Sequence, residues 1–289
     1  MSGIKECKGN LLIKAKTPVE GFAKVVNRGE LGLKHMDFGL LRLFPRDRDN
    51  RSRGASGEWS GETGDCEQAL DIYSGIVSME IASGQTYGPL GGRKSVFDGR
   101  LTVVYLPPGT SYKIRVLEGP VEIAVFSATA PSFAGEPMVI GPEDVIITTP
   151  GKDNWRRDVH TALGNNVNIA KLIFGETTNP PGNWSSAPPH KHDAFNLPNE
   201  VPLEEVYYFQ VDPPQGFGVI RVYTGPNDPG PMDEIYVVEQ GDTVVIPRGY
   251  HPVGAAPGYT LNYTWAMAGE IRKPGASFDD PRHAWLKNT

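Results

Sequence analysis

Cysteine is scarce. Only Cys7 and Cys66 occur in 289 residues, and they form no CxxC pair. That excludes a disulfide-stapled secreted module and a thiolate metal site. No stretch nears the roughly 18 consecutive apolar residues a transmembrane helix needs. The first ten residues, Met1 to Asn10, are polar and lack the apolar core of a signal peptide. A soluble, cytoplasmic protein with no membrane partner is therefore expected. Concentrated basic charge is also missing. The 28 Lys and Arg against 34 Asp and Glu leave a net charge of −6, and the cations are scattered. Without a basic stripe, nucleic acid is not an expected partner. Helical periodicity is weak throughout, and the best helix candidate is the short tail His283–Lys287 after Pro281.

Turn residues are plentiful instead: 34 glycines and 26 prolines. They separate short runs rich in Val, Ile and Tyr, which read as strands. Examples are Ser74–Ile81, Leu101–Leu106, Val121–Phe126, Asn168–Phe174, Val206–Val211, Gly218–Tyr223, Ile235–Val238 and Thr243–Ile246. Many short strands between frequent turns imply an all-β sandwich or barrel. The chain is long enough for one large or two medium domains.

An internal echo favours two. Leu106-Pro107-Pro108-Gly109 closes one strand, and Ile246-Pro247-Arg248-Gly249 closes another 140 positions later. Val125-Phe126-Ser127-Ala128 begins 18 positions after Pro107, and Trp265-Ala266-Met267-Ala268 begins 18 after Pro247. A duplicated barrel predicts domains over 1–150 and 151–289, with the seam in the polar stretch Thr148–Asn166 that holds Arg156-Arg157-Asp158.

Chemistry concentrates in the second half. Pro188-Pro189-His190-Lys191-His192-Asp193 puts two imidazoles two residues apart. On a strand these face the same side, while Lys191 points away and is expected to be exposed. Leu203-Glu204-Glu205-Val206-Tyr207 carries carboxylates into an apolar strand, which is costly unless they meet a cation or donors. Alternation sends Glu204 and Glu205 to opposite faces, so one of them is expected to enter a site. Gly241-Asp242-Thr243-Val244-Val245-Ile246-Pro247-Arg248-Gly249-Tyr250-His251 ends a strand in a Pro-x-Gly turn that can aim His251 back into a barrel mouth. Three imidazoles and a carboxylate would suit one divalent ion, whether zinc, manganese, iron or nickel.

The HxH pair, the later glutamate and the G-D-x-V-x-I-P-x-G-x-H run together resemble the paired motifs of cupins, with twelve residues between His192 and Glu205. A longer series narrows the resemblance. It runs through Asn183-Trp184-Ser185-Ser186, Gln215-Gly216-Phe217, Arg221-Val222-Tyr223-Thr224, Gly249-Tyr250-His251-Pro252-Val253 and Met267-Ala268-Gly269. Gly92-Arg93-Lys94-Ser95-Val96-Phe97, Arg157-Asp158-Val159-His160 and Asp280-Pro281-Arg282-His283-Ala284-Trp285 extend it toward both ends. The series resembles the sugar-acid isomerase family that unites 5-deoxy-glucuronate isomerases with 4-deoxy-L-threo-5-hexosulose-uronate ketol-isomerases.

That resemblance implies a bicupin, two jelly-roll β-barrels arising from an internal duplication, with metal only in the C-terminal barrel. It implies His190, His192, Glu205 and His251 as ligands of one divalent metal, zinc first among the candidates. It also implies aldose–ketose isomerisation of a small sugar acid, from 5-deoxy-glucuronate to 5-dehydro-2-deoxy-gluconate in inositol catabolism. Alternatives are the hexosulose-uronate of pectin breakdown, a cupin-type metal oxygenase, or a non-catalytic sugar-binding cupin. For substrate contacts the expected residues are Arg221, as a carboxylate fork or a rim ion pair, Tyr223 on the same strand face, and Tyr207 on the face of Glu205. The general base is not assignable at this stage. His35 and His160 fall in strand-like stretches outside the motifs. Pairing of exposed strand edges would allow a homo-oligomer.

Overall fold

The computed structural model describes residues 10–45 and 57–289; Cys7 lies outside them, and Cys66 is buried. Strands dominate. The first half holds β1 (Leu12–Ile13), β2 (Gly21–Val26), β3 (Met36–Leu43), β4 (Glu58–Glu62), β5 (Cys66–Ile81), β6 (Thr86–Gly91), β7 (Val103–Leu106), β8 (Ser111–Thr129), β9 (Met138–Ile140) and β10 (Ile146–Thr148). The second holds β11 (Asp158–Leu163), β12 (Ile173–Asn179), β13 (Trp184–Ser185), β14 (His190–Lys191), β15 (Glu204–Asp212), β16 (Gly218–Tyr223), β17 (Asp233–Val238), β18 (Thr243–Ile246), β19 (Val253–Ala255), β20 (Thr260–Ala268) and β21 (Phe278–Asp279). Helix among the described residues is limited to two 3-10 turns, Asp153–Trp155 and Ala284–Asn288.

Two large antiparallel sheets lie at the centre. One has the order β2-β3-β8-β5-β7-β9, with β4 and β6 attached to the long strands β8 and β5. The other runs β1-β18-β15-β20-β12-β11-β10. A four-stranded sheet, β13-β19-β16-β17, closes the second half. The inner strands of both sheets, among them β3, β7, β15, β18 and β20, are buried on both faces, which is why they read as nearly unbroken apolar runs. Along β15, Tyr207, Phe209 and Val211 face Ile220, Val222 and Val253 inside the C-terminal half, whereas Val206 and Tyr208 face the first half. Along β5, Leu70 and Ile72 fill the N-terminal interior, whereas Ala69 and Tyr73 join Phe38, Phe126 and Phe174 in the layer between the halves.

The two central sheets repeat one register. Glu67 stands opposite Ala128 and Gln68 opposite Leu106 in the first; Glu204 stands opposite Ala268 and Glu205 opposite Ile246 in the second. A register shift falls just before Val26, opposite Phe38, and another just before Leu163, opposite Phe174. The chain crosses between halves: β1 pairs with β18, in the place where β9 pairs with β7. Residues 148–166 hold a 3-10 turn and β11 within the second sheet.

Two buried glutamates clasp the halves reciprocally. Glu204 accepts backbone hydrogen bonds from Lys34, His35 and Met36 at 2.6, 2.8 and 2.8 Å. Glu67 accepts them from Ala170, Lys171 and Leu172 at 3.0, 2.7 and 2.6 Å, and one from the Tyr105 hydroxyl. Each carboxylate thus satisfies the amides of the loop entering a strand of the opposite half. For that reason the expected strand Asn168–Phe174 begins only at Ile173: residues 170–172 give their amides to Glu67 rather than to a ladder. Arg93 adds a third tie, bonding Glu176 of β12 at 2.6 and 3.0 Å and Asp71 of β5 at 3.0 Å.

Candidate metal centre and its cleft

The HxH segment is β14, paired with β21 so that His190 lies opposite Asp279. His192 follows and is locked to the start of β15 by two bonds. The Leu203 amide donates to the His192 carbonyl at 2.8 Å, and His192 Nδ1 donates to the Leu203 carbonyl at 2.8 Å. Lys191 turns the other way, as alternation requires, but it is buried rather than exposed. Its ammonium sits against Asp193 at 2.5 Å, Asp228 at 3.2 Å and Glu200 at 3.7 Å, and these carboxylates hold its pKa above the ordinary lysine value against the opposing effect of burial. Asp193 also accepts from the Gly249 amide at 2.8 Å, tying the HxH segment to the turn that carries His251.

That turn demands glycine. Gly249 has φ +90°, and a Cβ there would lie 2.7 Å from the Tyr223 carbonyl oxygen. Its own carbonyl accepts from His251 Nδ1 at 2.8 Å, fixing the ring.

The geometry at the centre calls for a cation. Both Nδ1 atoms face carbonyl oxygens, which only accept, so each Nδ1 carries a proton, and when a ring is neutral the lone pair of its Nε2 is directed into the centre. Those lone pairs converge on the same carboxylate oxygen: Glu205 Oε2 is 3.1 Å from His192 Nε2 and 3.3 Å from His251 Nε2. His251 is fully buried, and its Nε2 has no hydrogen-bond donor. Three acceptor atoms gathered at one point favour positive charge between them, supplied by a metal ion or by a proton on His192 Nε2 bonded to Glu205. The ligand atoms of His192, Glu205 and His251 all lie within 4.8 Å of one another, a group that could hold a metal. His190 stands outside this trio but beside it, its ring centroid 5.1 Å from that of His251 and 6.4 Å from that of His192.

Burial sets the protonation. It pushes the pKa of His251 down to about 3 and that of His190 down to about 3, with His192 and Arg157 adding repulsion at His190. Both rings are therefore neutral and able to ligate near pH 7. For His192 burial also opposes the charge, but the hydrogen bond and charge of Glu205 outweigh it, and the pKa is raised.

A cleft of about 160 Å³ opens onto this group, lined by Glu205 and His190 together with Arg157, Tyr207, Tyr263 and Trp265. Tyr207 lies here, its ring 5.9 Å from His251 and 4.5 Å from Tyr263. Burial raises the pKa of both phenols, so they remain donors. Arg221 is elsewhere. Residues Ile220 and Val222 take the inward face of β16, leaving Arg221 outward in a bidentate pair with Asp233 at 2.7 Å. The Tyr223 hydroxyl is buried and donates to Asp280 at 2.8 Å, away from the cleft. Glu204, the neighbour of Glu205, points to the opposite face and serves the clasp. Sequence reasoning did not single out Arg157, Tyr263 or Trp265 as site residues. Arg157 carried the one available signal, a cation at the mouth of a strand within a family-like motif.

Similarity to known proteins agrees with this geometry. Residues 11–286 match the model of the KduI/IolB family. A 5-deoxy-glucuronate isomerase of Bacillus licheniformis is 42% identical over 264 residues, covering 90% of this chain and 91% of the relative. One from Geobacillus thermodenitrificans is 39% identical over 227 residues, covering 78% and 80%. The crystal structure of an IolB-like protein from Salmonella typhimurium superposes with a TM-score of 0.86 at 30% identity, covering 96% of this chain and all of that one. An oxalate decarboxylase from Lactobacillus farciminis, 12% identical with a TM-score of 0.62 over 97% of this chain and 91% of its own, shares the fold. An almost wholly β chain, matched from Leu11 to Leu286 and closing on a buried His-Glu-His group, belongs to the KduI/IolB family.

Proposed function

We propose that this protein is a metal-dependent aldose–ketose isomerase that converts 5-deoxy-glucuronate to 5-dehydro-2-deoxy-gluconate. The observation that carries the metal dependence is the convergence of two imidazole nitrogens, that of His251 without a hydrogen-bond partner, on one carboxylate oxygen at the cleft. The curated relatives named as 5-deoxy-glucuronate isomerases support the substrate. His192, Glu205 and His251 would be the core ligands, and His190, whose ring lies beside that of His251, would complete the set. The mixed nitrogen and oxygen shell suits zinc first, with manganese, iron and nickel as alternatives. Such an ion supplies Lewis acidity toward a sugar carbonyl and its neighbouring hydroxyl.

The chain's own groups do the rest. Aldose–ketose isomerisation removes a proton from the carbon beside the carbonyl and returns one to the carbonyl carbon, with no net gain or loss of atoms. Tyr207, kept protonated beside Glu205, is the phenol placed to donate where oxygen charge develops, whereas Tyr263 gives its hydroxyl proton to Ser185 at 2.8 Å and supports the cleft wall. Trp265 covers one wall and is held by its Nε1 bond to Thr177 at 3.0 Å, shielding the reacting carbons from water.

The matched registers of the two central sheets support a bicupin made by duplication, divided near residue 150, with β1 exchanged into the C-terminal barrel. At the N-terminal counterpart of Glu205 stands Gln68, whose amide oxygen accepts from the Tyr112 hydroxyl at 3.1 Å. Counting from Gly109 as from Gly249, the counterpart of His251 is Ser111. That barrel therefore has a structural role in this reading.

The test is turnover of 5-deoxy-glucuronate before and after chelation, with divalent metals added back. Activity that disappears with the chelator and returns with a metal supports the proposal. Full activity in protein shown by elemental analysis to be metal-free refutes it.

A further inference from the structure

Resting on the isomerase reading, we propose that Arg157 is the substrate-binding residue that receives the sugar acid's carboxylate and so selects acids over neutral sugars. Arg157 lies at the entrance to β11, its amide anchored to the Pro150 carbonyl at 3.2 Å. Its guanidinium lines the cleft with His190 and Glu205. Among the described residues, three arginines have no carboxylate partner: Arg157, Arg248 and Arg272. Arg248 places both terminal nitrogens on the carbonyls of Pro229 and Gly230. Arg272 gives Nε, Nη1 and Nη2 to carbonyls between Leu163 and Leu172. Arg157 uses Nη1 alone, on the carbonyls of Ala187 at 3.1 Å and Trp155 at 3.3 Å.

Its Nε and Nη2 therefore remain for a ligand. A half-buried guanidinium with no carboxylate in contact is disfavoured by burial, which lowers its pKa. An incoming carboxylate would relieve that cost and match the planar donors. The cleft also orients the substrate. Arg157 lines the same cleft as His190 and Glu205, so a carboxylate held by its guanidinium keeps the rest of the acid within that cleft. Arg221, the other candidate, is already satisfied by Asp233.

The experiment compares metal-loaded wild type, Arg157→Met and Arg157→Lys on two compounds. One is 5-deoxy-glucuronate; the other is 5-deoxy-glucose, which has a hydroxymethyl in place of the carboxylate. Arg157→Met should lower kcat/KM for the acid about 100-fold, mainly through KM, as loss of a charge-assisted pair does. It should leave kcat/KM for the neutral sugar within about 3-fold, and Arg157→Lys should restore part of the preference. Equal falls on both compounds would assign Arg157 a structural role, holding the Ala187 loop, and overturn the proposal; so would an unchanged preference. Calorimetric binding of the acid separates this inference from the isomerase reading. Without turnover by wild type, binding that is weakened by Arg157→Met refutes only the isomerase reading, whereas binding that Arg157→Met leaves unchanged, or no binding at all, refutes both.

Discussion

Glu204 and Glu205 are adjacent carboxylates with opposite duties, and exchanging each for glutamine should separate them. Glu204 accepts three backbone amides at 2.6–2.8 Å and is 7% exposed. Each hydrogen bond to a charged group contributes about 1.5–3 kcal/mol, and each buried amide left unpaired costs about 1–3 kcal/mol. Glutamine keeps one acceptor oxygen, enough for the His35 and Met36 amides, but turns its NH₂ against the Lys34 amide. One bond is lost, two lose their charge, and water reaches Lys34 through the cavity that Glu204, Lys34 and His35 line. The net loss for Glu204→Gln should be about 3 kcal/mol, with metal affinity retained. Glu205 supports no backbone amide; its neighbours are the imidazoles of His192 and His251 and the Tyr207 hydroxyl. Glu205→Gln should leave the metal-free stability within about 1 kcal/mol of wild type and weaken metal binding at least 100-fold. Urea unfolding of the chelated proteins and metal titration read the two effects independently. Equal stability losses in the two variants, or metal loss in Glu204→Gln, would refute the reasoning.

The remaining predictions test the same architecture elsewhere. Glu67→Gln should cost about as much as Glu204→Gln, because its three amide bonds are the mirror of the same clasp; a loss under about 1 kcal/mol in urea would break the symmetry argument. Arg93→Met should destabilise by about 3–5 kcal/mol, since it leaves Asp71 and Glu176 buried together without their cation; a neutral result by thermal melting would show that the pair shares a proton at no cost. Metal-free protein should lose stability as pH falls below 6.5. His190 and His251 have folded pKa values lowered to about 3 from 6.5, so the unfolded chain binds more protons there, costing about 1.4 kcal/mol per pH unit for each ring. His192 has the opposite sign: its raised pKa contributes stability that is present below 6.5 and lost as pH rises through the folded value. Chemical unfolding of chelated protein across pH 4–8 should therefore show these rings' maximum near 6.5, and His190→Gln should shallow the acid limb; an identical acid limb in that variant would refute the assignment.

Much of this fold was legible in the sequence because the inner strands of both central sheets are buried on both faces. Gly218–Tyr223 and Thr243–Ile246 were bounded to the residue, since turn chemistry brackets each of them. The long strands β5 and β8 were read only in part. The start of β5 carries Glu67, whose partners are distant in sequence, and the first half of β8 mixes exposed polar residues such as Arg115 and Glu118 with apolar ones, so local pattern could not extend them. The site divided in a similar way. His190, His192 and His251 stand out by motif and spacing, Glu205 is separated from Glu204 only by the family resemblance, and the structure gathers all four at one end of the C-terminal half. Arg221 and Arg157 look alike in sequence; only the positions of Asp233 and of the Ala187 carbonyl distinguish a satisfied guanidinium from an available one. Lys191 was expected at the surface because nothing local foretells that Asp228 and Glu200 would fold over it.

The clasp explains why a half with no proposed ligand of its own matters to the centre. The strand carrying Glu205 begins one residue earlier with Glu204, whose side chain is fixed to the loop before β3 in the other half. Because adjacent strand residues point to opposite faces, fixing Glu204 also fixes the pleat at Glu205. A slip of one residue would send Glu205 into the layer between the halves and Glu204 against the imidazoles. Three amides on one side of the sheet therefore hold the carboxylate on the other side within reach of His192 and His251. The reciprocal bonds of Glu67 secure the loop that leads into β12, where Thr177 holds Trp265 over the cleft. The N-terminal half thus contributes to the site by setting its register from behind, without supplying a single lining residue to the cleft among those described.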